Sequence, residues 1–213
     1  MKKQLYGHAS LLIALNKKSD IILMSIYDEG YPYEAYRGSA HFIGGNISRE
    51  DKTPRDILQR EIQEEFDSKI SAGQNSISES DINLIRENLL LNTPYADFFV
   101  RVELIPKGVP RSYNGIHSIY VSELREDVLE CILENLIKGK KITTEGYLSA
   151  FTPAQLAKLG EFAVAHAMAP ILEDFLQTKL LYPEQVKAEK LGLPRLSIED
   201  YRKDYIYTDS CFK

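Results

Sequence analysis

Apolar and polar positions alternate in blocks along the chain, and the blocks change length in a way that separates strands from helices. "HASLLIAL" and "IILMSIYD" are apolar runs of strand length, and the polar "NKKSD" between them has the composition of a hairpin turn. A tyrosine-rich connection, "EGYPYEAYRGSA", leads to "HFIGG", a short apolar segment that the glycine pair is expected to end. Thr53-Pro54 then reads as a helix start, a threonine cap followed by proline at the first helical position, with Asp56 where the reciprocal partner of a capping box belongs. The spacing carries that helix to about Phe66. "SESDINLIRENLLLN" predicts a second helix, "DFFVRVEL" and "HSIYVSEL" two strands around the loop "PKGVPRSYNG", and "REDVLECILENLIKG" a third helix with a glycine stop. After "ITTEGYLSAF", Thr152-Pro153 opens a long apolar-rich helical stretch that Pro170 must kink or divide. The polar tail from Tyr182 is expected to pack loosely. Alternating strands and helices without internal repeats predict an α/β domain over residues 1–150 and a helical C-terminal extension over 151–213.

The first helix carries the chemistry. With Leu58 at 0° and about 100° per residue, Ile62 and Phe66 fall at about 40° and 80°, while Glu64, Glu61 and Glu65 fall at about 240°, 300° and 340°. One flank is suited to burial and the neighbouring flank gathers three carboxylates. Glu61 meets Glu64 at i+3 and Glu65 at i+4, where like charges cost a few tenths of a kcal/mol per pair on an exposed helix. Arg60, four residues from Glu64, offsets part of that repulsion, and a hard divalent cation with oxygen ligands would offset the rest. A solvated charged face is the ordinary reading of such a pattern taken alone.

Composition narrows the partners. The 213 residues are 44% hydrophobic and 27% charged, enough to build a real core. A net charge of -5 and the lack of a dense Lys/Arg run argue against polymeric nucleic acid, whereas a small anionic ligand is compatible with the carboxylates if a cation lies between them. Cys131 and Cys211 stand far apart with no zinc-type neighbours, which suits reduced thiols in a cytoplasmic protein. The apolar run near the N-terminus is short and lacks a cleavage-like site, and nothing reaches membrane-spanning length, so neither export nor a membrane partner is expected.

The stretch from Gly44, "GGNISREDKTPRDILQREIQEEFDSKI", resembles a Nudix box, whose pattern is glycine, five residues, glutamate, seven residues, then Arg-Glu-hydrophobic-any-Glu-Glu-any-Gly. "REIQEE" reproduces its core with Arg60, Glu61, Ile62, Glu64 and Glu65, and "FIGG" stands where the family has an apolar-Pro-Gly-Gly run. Three departures mark this chain: Gly45 to Arg60 is one residue longer than the pattern, Asp51 or Lys52 replaces the loop glutamate, and Asp67 replaces the final glycine. The opening hairpin, the later strands and "TTEGYLSAFTPAQLAKL" resemble Nudix segments in order, so the resemblance covers residues 5–160.

The resemblance implies a Nudix-type α/β/α sandwich around a mixed β-sheet. It also implies Mg²⁺- or Mn²⁺-dependent hydrolysis of a diphosphate linkage in a nucleoside diphosphate derivative. Carried over residue by residue, Glu61, Glu64 and Glu65 are the metal ligands, with the Gly44 carbonyl as a further one; Arg60 orients the glutamates. Glu61 and Glu145 are alternative general bases. The departures favour one competing function, a non-catalytic Nudix-fold module that binds a nucleotide or a protein. His41 and the tyrosines of "YPYEAYRG" are weaker candidates, as a site-facing imidazole and as stacking surfaces; packing is the ordinary role of each. The apolar positions from Leu156 to Leu181 require burial, either on the domain or in a homodimer interface.

Overall fold

The computed structural model describes residues 7–32, 37–67, 76–104, 111–144, 146–158, 164, 168–177 and 198–204. A mixed eight-stranded sheet lies between two layers of helices. The opening hairpin forms as expected: β1 (Gly7–Asn16) pairs antiparallel with β2 (Ile21–Ile26). That pairing covers only Ala14 to Asn16 on β1, after which the two strands part like a fork.

Strands β3 (Ala40–His41) and β4 (Ile43–Asn46) fill the fork. The first pairs with β2, His41 opposite Ser25, and the second pairs with β1, Ile43 opposite Leu12 and Gly45 opposite Ser10. The chain therefore changes partner at Phe42, whose N–H finds an acceptor in the Met168 sulfur at 3.1 Å instead of a strand carbonyl. The glycine pair does not end the element, as the sequence suggests, but continues it to Asn46; ladder bonds need only backbone, and the missing side chain of Gly44 permits close approach to β1.

On its other side β1 pairs in parallel with β6 (Arg111–Glu123), which pairs antiparallel with β5 (Asn92–Leu104). Both are longer than their apolar runs suggest. β7 (Tyr147–Phe151) pairs with β2, and β8 (Ile198–Asp204) pairs with β5. The tail expected to be loose thus supplies an edge strand, because the open side of β5 presents a row of unpaired backbone groups that a further strand satisfies.

Alternation along β1 divides the core. Leu12 and Ala14 face α1 (Pro54–Glu65), α2 (Glu79–Leu90) and α3 (Glu126–Ile137), in a cluster with Leu58, Ile62, Phe66, Ile85, Tyr120 and Ile132. Leu11 and Ile13 face the other way, toward Phe42, Phe98 and Ile119, where Leu156 of α4 (Pro153–Lys158) and Ile171 and Leu172 of α5 (Ala169–Leu176) complete a second cluster. Pro170 stands at the start of α5 and so divides the helical stretch. Among the described residues no helix is long and apolar enough to cross a membrane.

Candidate functional site

Helix α1 is fixed at its start by a reciprocal cap: the Asp56 N–H donates to Thr53 Oγ1 at 3.1 Å, and the Thr53 N–H donates to Asp56 Oδ2 at 2.9 Å. Leu58, Ile62 and Phe66 are fully buried, as the helical spacing requires. That registration decides where the carboxylate flank stands, along the strand that fills the fork.

The two glycines differ in what they do there. Gly44 has φ +126°, and a Cβ on it would collide with the Ser10 carbonyl of β1. A Cβ on Gly45 would instead overlap the Glu61 carboxylate, so the absent side chain is a cradle that the carboxylate occupies. Gly44 also donates its N–H to Glu65 Oε1 at 2.9 Å, which holds this nearly buried glutamate against the strand.

Arg60 ties the remaining pieces together. Its Nε and Nη2 donate to Asp51 Oδ1 and Oδ2 at 3.2 and 3.0 Å, its Nη1 donates to Glu61 Oε1 at 2.7 Å and Glu64 Oε2 at 3.0 Å, and Nη2 also donates to the Asn46 carbonyl at 2.8 Å. A guanidinium has five N–H donors, and all of them are spent. Asp51, with its side chain only 4% exposed, also accepts the Ser48 N–H at 2.6 Å. Burial pushes its carboxyl up, but the hydrogen bonds from Arg60 and Ser48 outweigh that and hold it below its ordinary value. The Asp51 hydrogen bond likewise raises Arg60 above the ordinary arginine range.

Of the two candidates for the loop acid, the structure selects Asp51. Lys52 contributes only its N–H, to Asp56 Oδ2. The extra residue of the loop therefore falls between Asp51 and Arg60. Asp67 follows the C-cap Phe66, whose N–H bonds back to the Ile62 carbonyl.

Glu61, Glu64 and Glu65 thus share one helix flank, but they are not gathered on one point: among the described residues no three carboxylate, histidine or cysteine side chains form a group that could hold a metal. Arg60 bridges Glu61 and Glu64, whose side chain is 60% exposed, while Glu65 turns to Gly44. The donor set is all oxygen, the chemistry that suits a hard divalent cation, and Gly45 has no side chain to displace the Glu61 carboxylate, so the residue types fit such an ion although the three carboxylates do not converge on one point. Glu145 lies outside the described residues. Its neighbour Thr144 reaches the end of α1, donating its N–H to the Glu65 carbonyl at 2.8 Å and its Oγ1 to the Glu64 carbonyl at 3.0 Å.

The histidines separate. His8 and His117 are buried, His8 Nε2 lies 2.9 Å from Ser118 Oγ, and burial lowers both to about 4. His166 lies outside the described residues. His41 is half-buried and its ring stacks on Tyr27 at 3.8 Å, with Tyr31 on the other side of Tyr27 at 3.9 Å. Of the tyrosines in "YPYEAYRG", Tyr33 and Tyr36 lie outside the described residues. Sequence reasoning did not reach Tyr27, which sits inside an apolar strand run and shows no signal apart from its alternation with Ser25. Cys131 is partly buried against the α1-side core.

No family model matches the chain, and no curated protein sequence matches it. Among solved structures it is similar to a MutT protein from Methanosarcina mazei Go1, with a TM-score of 0.47 and 13% identity over 83% of this chain and 97% of that one. It is also similar to the E. coli ORF135 protein, with a TM-score of 0.43 and 13% identity over 83% of this chain and 93% of that one. Likeness at that level carries no functional weight.

Proposed function

We propose that this chain is a Nudix-type pyrophosphohydrolase, a divalent-cation-dependent hydrolase that cleaves a diphosphate linkage in a nucleoside diphosphate derivative. The observation that supports it most is the Arg60 hub, where one guanidinium joins Asp51 of the loop, the Asn46 carbonyl of the strand, and Glu61 and Glu64 of the helix. This is the arrangement in which the box residues act as a unit.

On this reading Glu61, Glu64 and Glu65, with the Gly44 carbonyl, hold Mg²⁺ or Mn²⁺. When bound, the cation supplies charge neutralisation at phosphoryl oxygens and lowers the pKa of water. The chain's own residues then orient and exchange protons. Arg60 fixes the rotamers of Glu61 and Glu64, and the Gly44 N–H fixes Glu65. The oxygen of a water bonds to phosphorus as the bridging P–O bond breaks, and the water proton passes to a carboxylate, Glu61 Oε2 or a carboxylate oxygen of Glu145. Arg60 has no donor left over, so its part is positioning rather than phosphate binding.

The test is release of a nucleoside monophosphate, or phosphate, from a panel of nucleoside triphosphates, nucleotide sugars, dinucleotides and dinucleoside polyphosphates, with Mg²⁺ and with Mn²⁺. Glu64→Gln and Glu65→Gln are expected to lower kcat by on the order of 10²-fold, the scale of losing one group that stabilises transition-state charge. A folded wild-type chain that turns over nothing on the panel sinks the proposal. A non-catalytic binding module is the second reading, favoured by Glu65 Oε1 being engaged by Gly44 and by the absence of a converging three-ligand group among the described residues. Calorimetry separates the two: nucleotide binding indifferent to Mg²⁺ and without turnover belongs to the module.

A further inference from the structure

His41 stands on the strand that leads into the glycine pair. Alternation sets its direction: Ala40 and Phe42 belong to the core cluster on the far side of the sheet, whereas Ile43 belongs to the cluster with α1 and Gly45 lies under Glu61. Residues 41, 43 and 45 therefore share the α1 face. Four residues at about 3.3 Å each put His41 roughly 13 Å along the strand from Gly45. That separation is of the order of a nucleoside monophosphate measured from its phosphate to the far edge of its base.

The ring is held in one orientation and one tautomer. Nδ1 lies 2.9 Å from the Phe42 carbonyl, which can only accept, so Nδ1 carries the proton. Stacking on Tyr27, itself backed by Tyr31, fixes the ring plane at an interplanar angle of 13°. Burial lowers the imidazole to about 4, so it is neutral near pH 7 and Nε2 keeps its lone pair. Nε2 has no hydrogen-bond partner among the described residues. Directly opposite on β2, the Ser25 hydroxyl is buried and also without a partner among the described residues. A buried hydroxyl in so apolar a sheet face is normally satisfied, and none of the described residues supplies a partner to either atom.

We propose that His41 is a specificity residue, with Nε2 accepting a hydrogen bond from an N–H of the nucleobase of a nucleotide whose phosphates lie at the Glu61 carboxylate. This rests on the nucleotide reading given above and adds a base contact to it. A fixed acceptor rejects a ligand lacking the matching donor more strongly than an apolar pocket rejects a change of size, because the acceptor is then left unpaired.

Two measurements test it on the full chain. In ¹⁵N-resolved histidine spectra, AMP, GMP, CMP and UMP are added with Mg²⁺, and ribose 5-phosphate serves as the probe without a base. An upfield movement of His41 Nε2 with at least one nucleotide and none with ribose 5-phosphate is expected. Equal movement with ribose 5-phosphate, or no movement with any nucleotide, overturns the assignment. In the kinetic arm His41→Phe, which keeps a ring on Tyr27, is expected to raise KM about tenfold for the preferred base and leave kcat within about twofold, and to flatten discrimination between bases. His41→Gln, whose Oε1 can accept, is expected to recover part of it. Unchanged base discrimination in a folded His41→Phe chain also overturns the assignment. If the phenylalanine variant does not fold, the spectra of the wild-type chain decide. A wild-type chain that hydrolyses nothing yet shows the nucleotide-specific Nε2 movement sinks the hydrolase reading and keeps the contact; the reverse pattern keeps the hydrolase and sinks the contact.

Discussion

At the scale of single residues, the glycine pair separates stability from chemistry. A methyl group on Gly44 meets backbone, the Ser10 carbonyl, in a conformation that L-residues rarely adopt, so neither partner can yield. Gly44→Ala is expected to destabilise the fold by about 3 kcal/mol, read as a lower urea midpoint. A methyl group on Gly45 meets only the far end of Glu61, a flexible side chain that can swing away. Gly45→Ala is therefore expected to keep the midpoint within about 1 kcal/mol while lowering cation-dependent activity, because the displaced carboxylate loses its bond to Arg60. The buried histidines make a second residue-level forecast. Burial lowers His8 and His117 from the ordinary histidine value of 6.5 to about 4, so the folded state binds fewer protons than the unfolded chain between those values. Their contribution to stability is complete above about pH 6.5 and is lost as pH falls toward 4, at on the order of 1 kcal/mol per pH unit for each histidine. Urea midpoints at pH 7 and pH 5 check this, since most carboxylates titrate below that window; equal midpoints would contradict it.

At the scale of elements, helix α1 was the most legible part of the chain. Its cap, its buried flank and its carboxylate flank follow from local rules, and each was found where the spacing put it. Thr53→Ala should cost about 1 kcal/mol of stability, the usual worth of an N-cap, measurable by thermal or urea unfolding. A smaller loss would mean that Pro54 and the buried flank alone hold the start of the helix. The strands were less legible because their lengths depend on partners distant in sequence. β5 and β6 extend beyond their apolar runs because each continues the other's ladder, and β8 exists by pairing with β5. The site shows the same division. "REIQEE" announces three carboxylates and an arginine, but the choice between Asp51 and Lys52 needed the loop's path, and the Tyr27–His41 stack needed two strands to meet. Nothing local to Ser25 signals that it will face His41.

At the scale of the whole molecule, the C-terminal segment shares the core of the fold. Ile171 and Leu172 of α5 are fully buried in the cluster that also holds Leu11, Phe42 and Ile119, and Val164 bridges to Ala40. Leu172→Ala is expected to destabilise the whole domain in a single transition by about 2–5 kcal/mol, as in a large-to-small change in a packed core. A separate low-temperature transition confined to the C-terminal segment would show that it folds on its own.

The forked hairpin also determines which changes of length the chain can absorb in its history. The strand from Ala40 to Asn46 is gripped from β2 first and from β1 next, and its faces alternate between two cores. Adding one residue there would send Ile43 toward the wrong core and turn Gly45 away from Glu61. A few positions later the chain runs through a surface turn between Asp51 and the cap of α1, where Arg60 can follow its acid through small changes of path. The one insertion relative to the Nudix pattern lies on that permissive side. Length variation among descendants of this sequence should be concentrated there, with the strand before the second glycine held to a constant count.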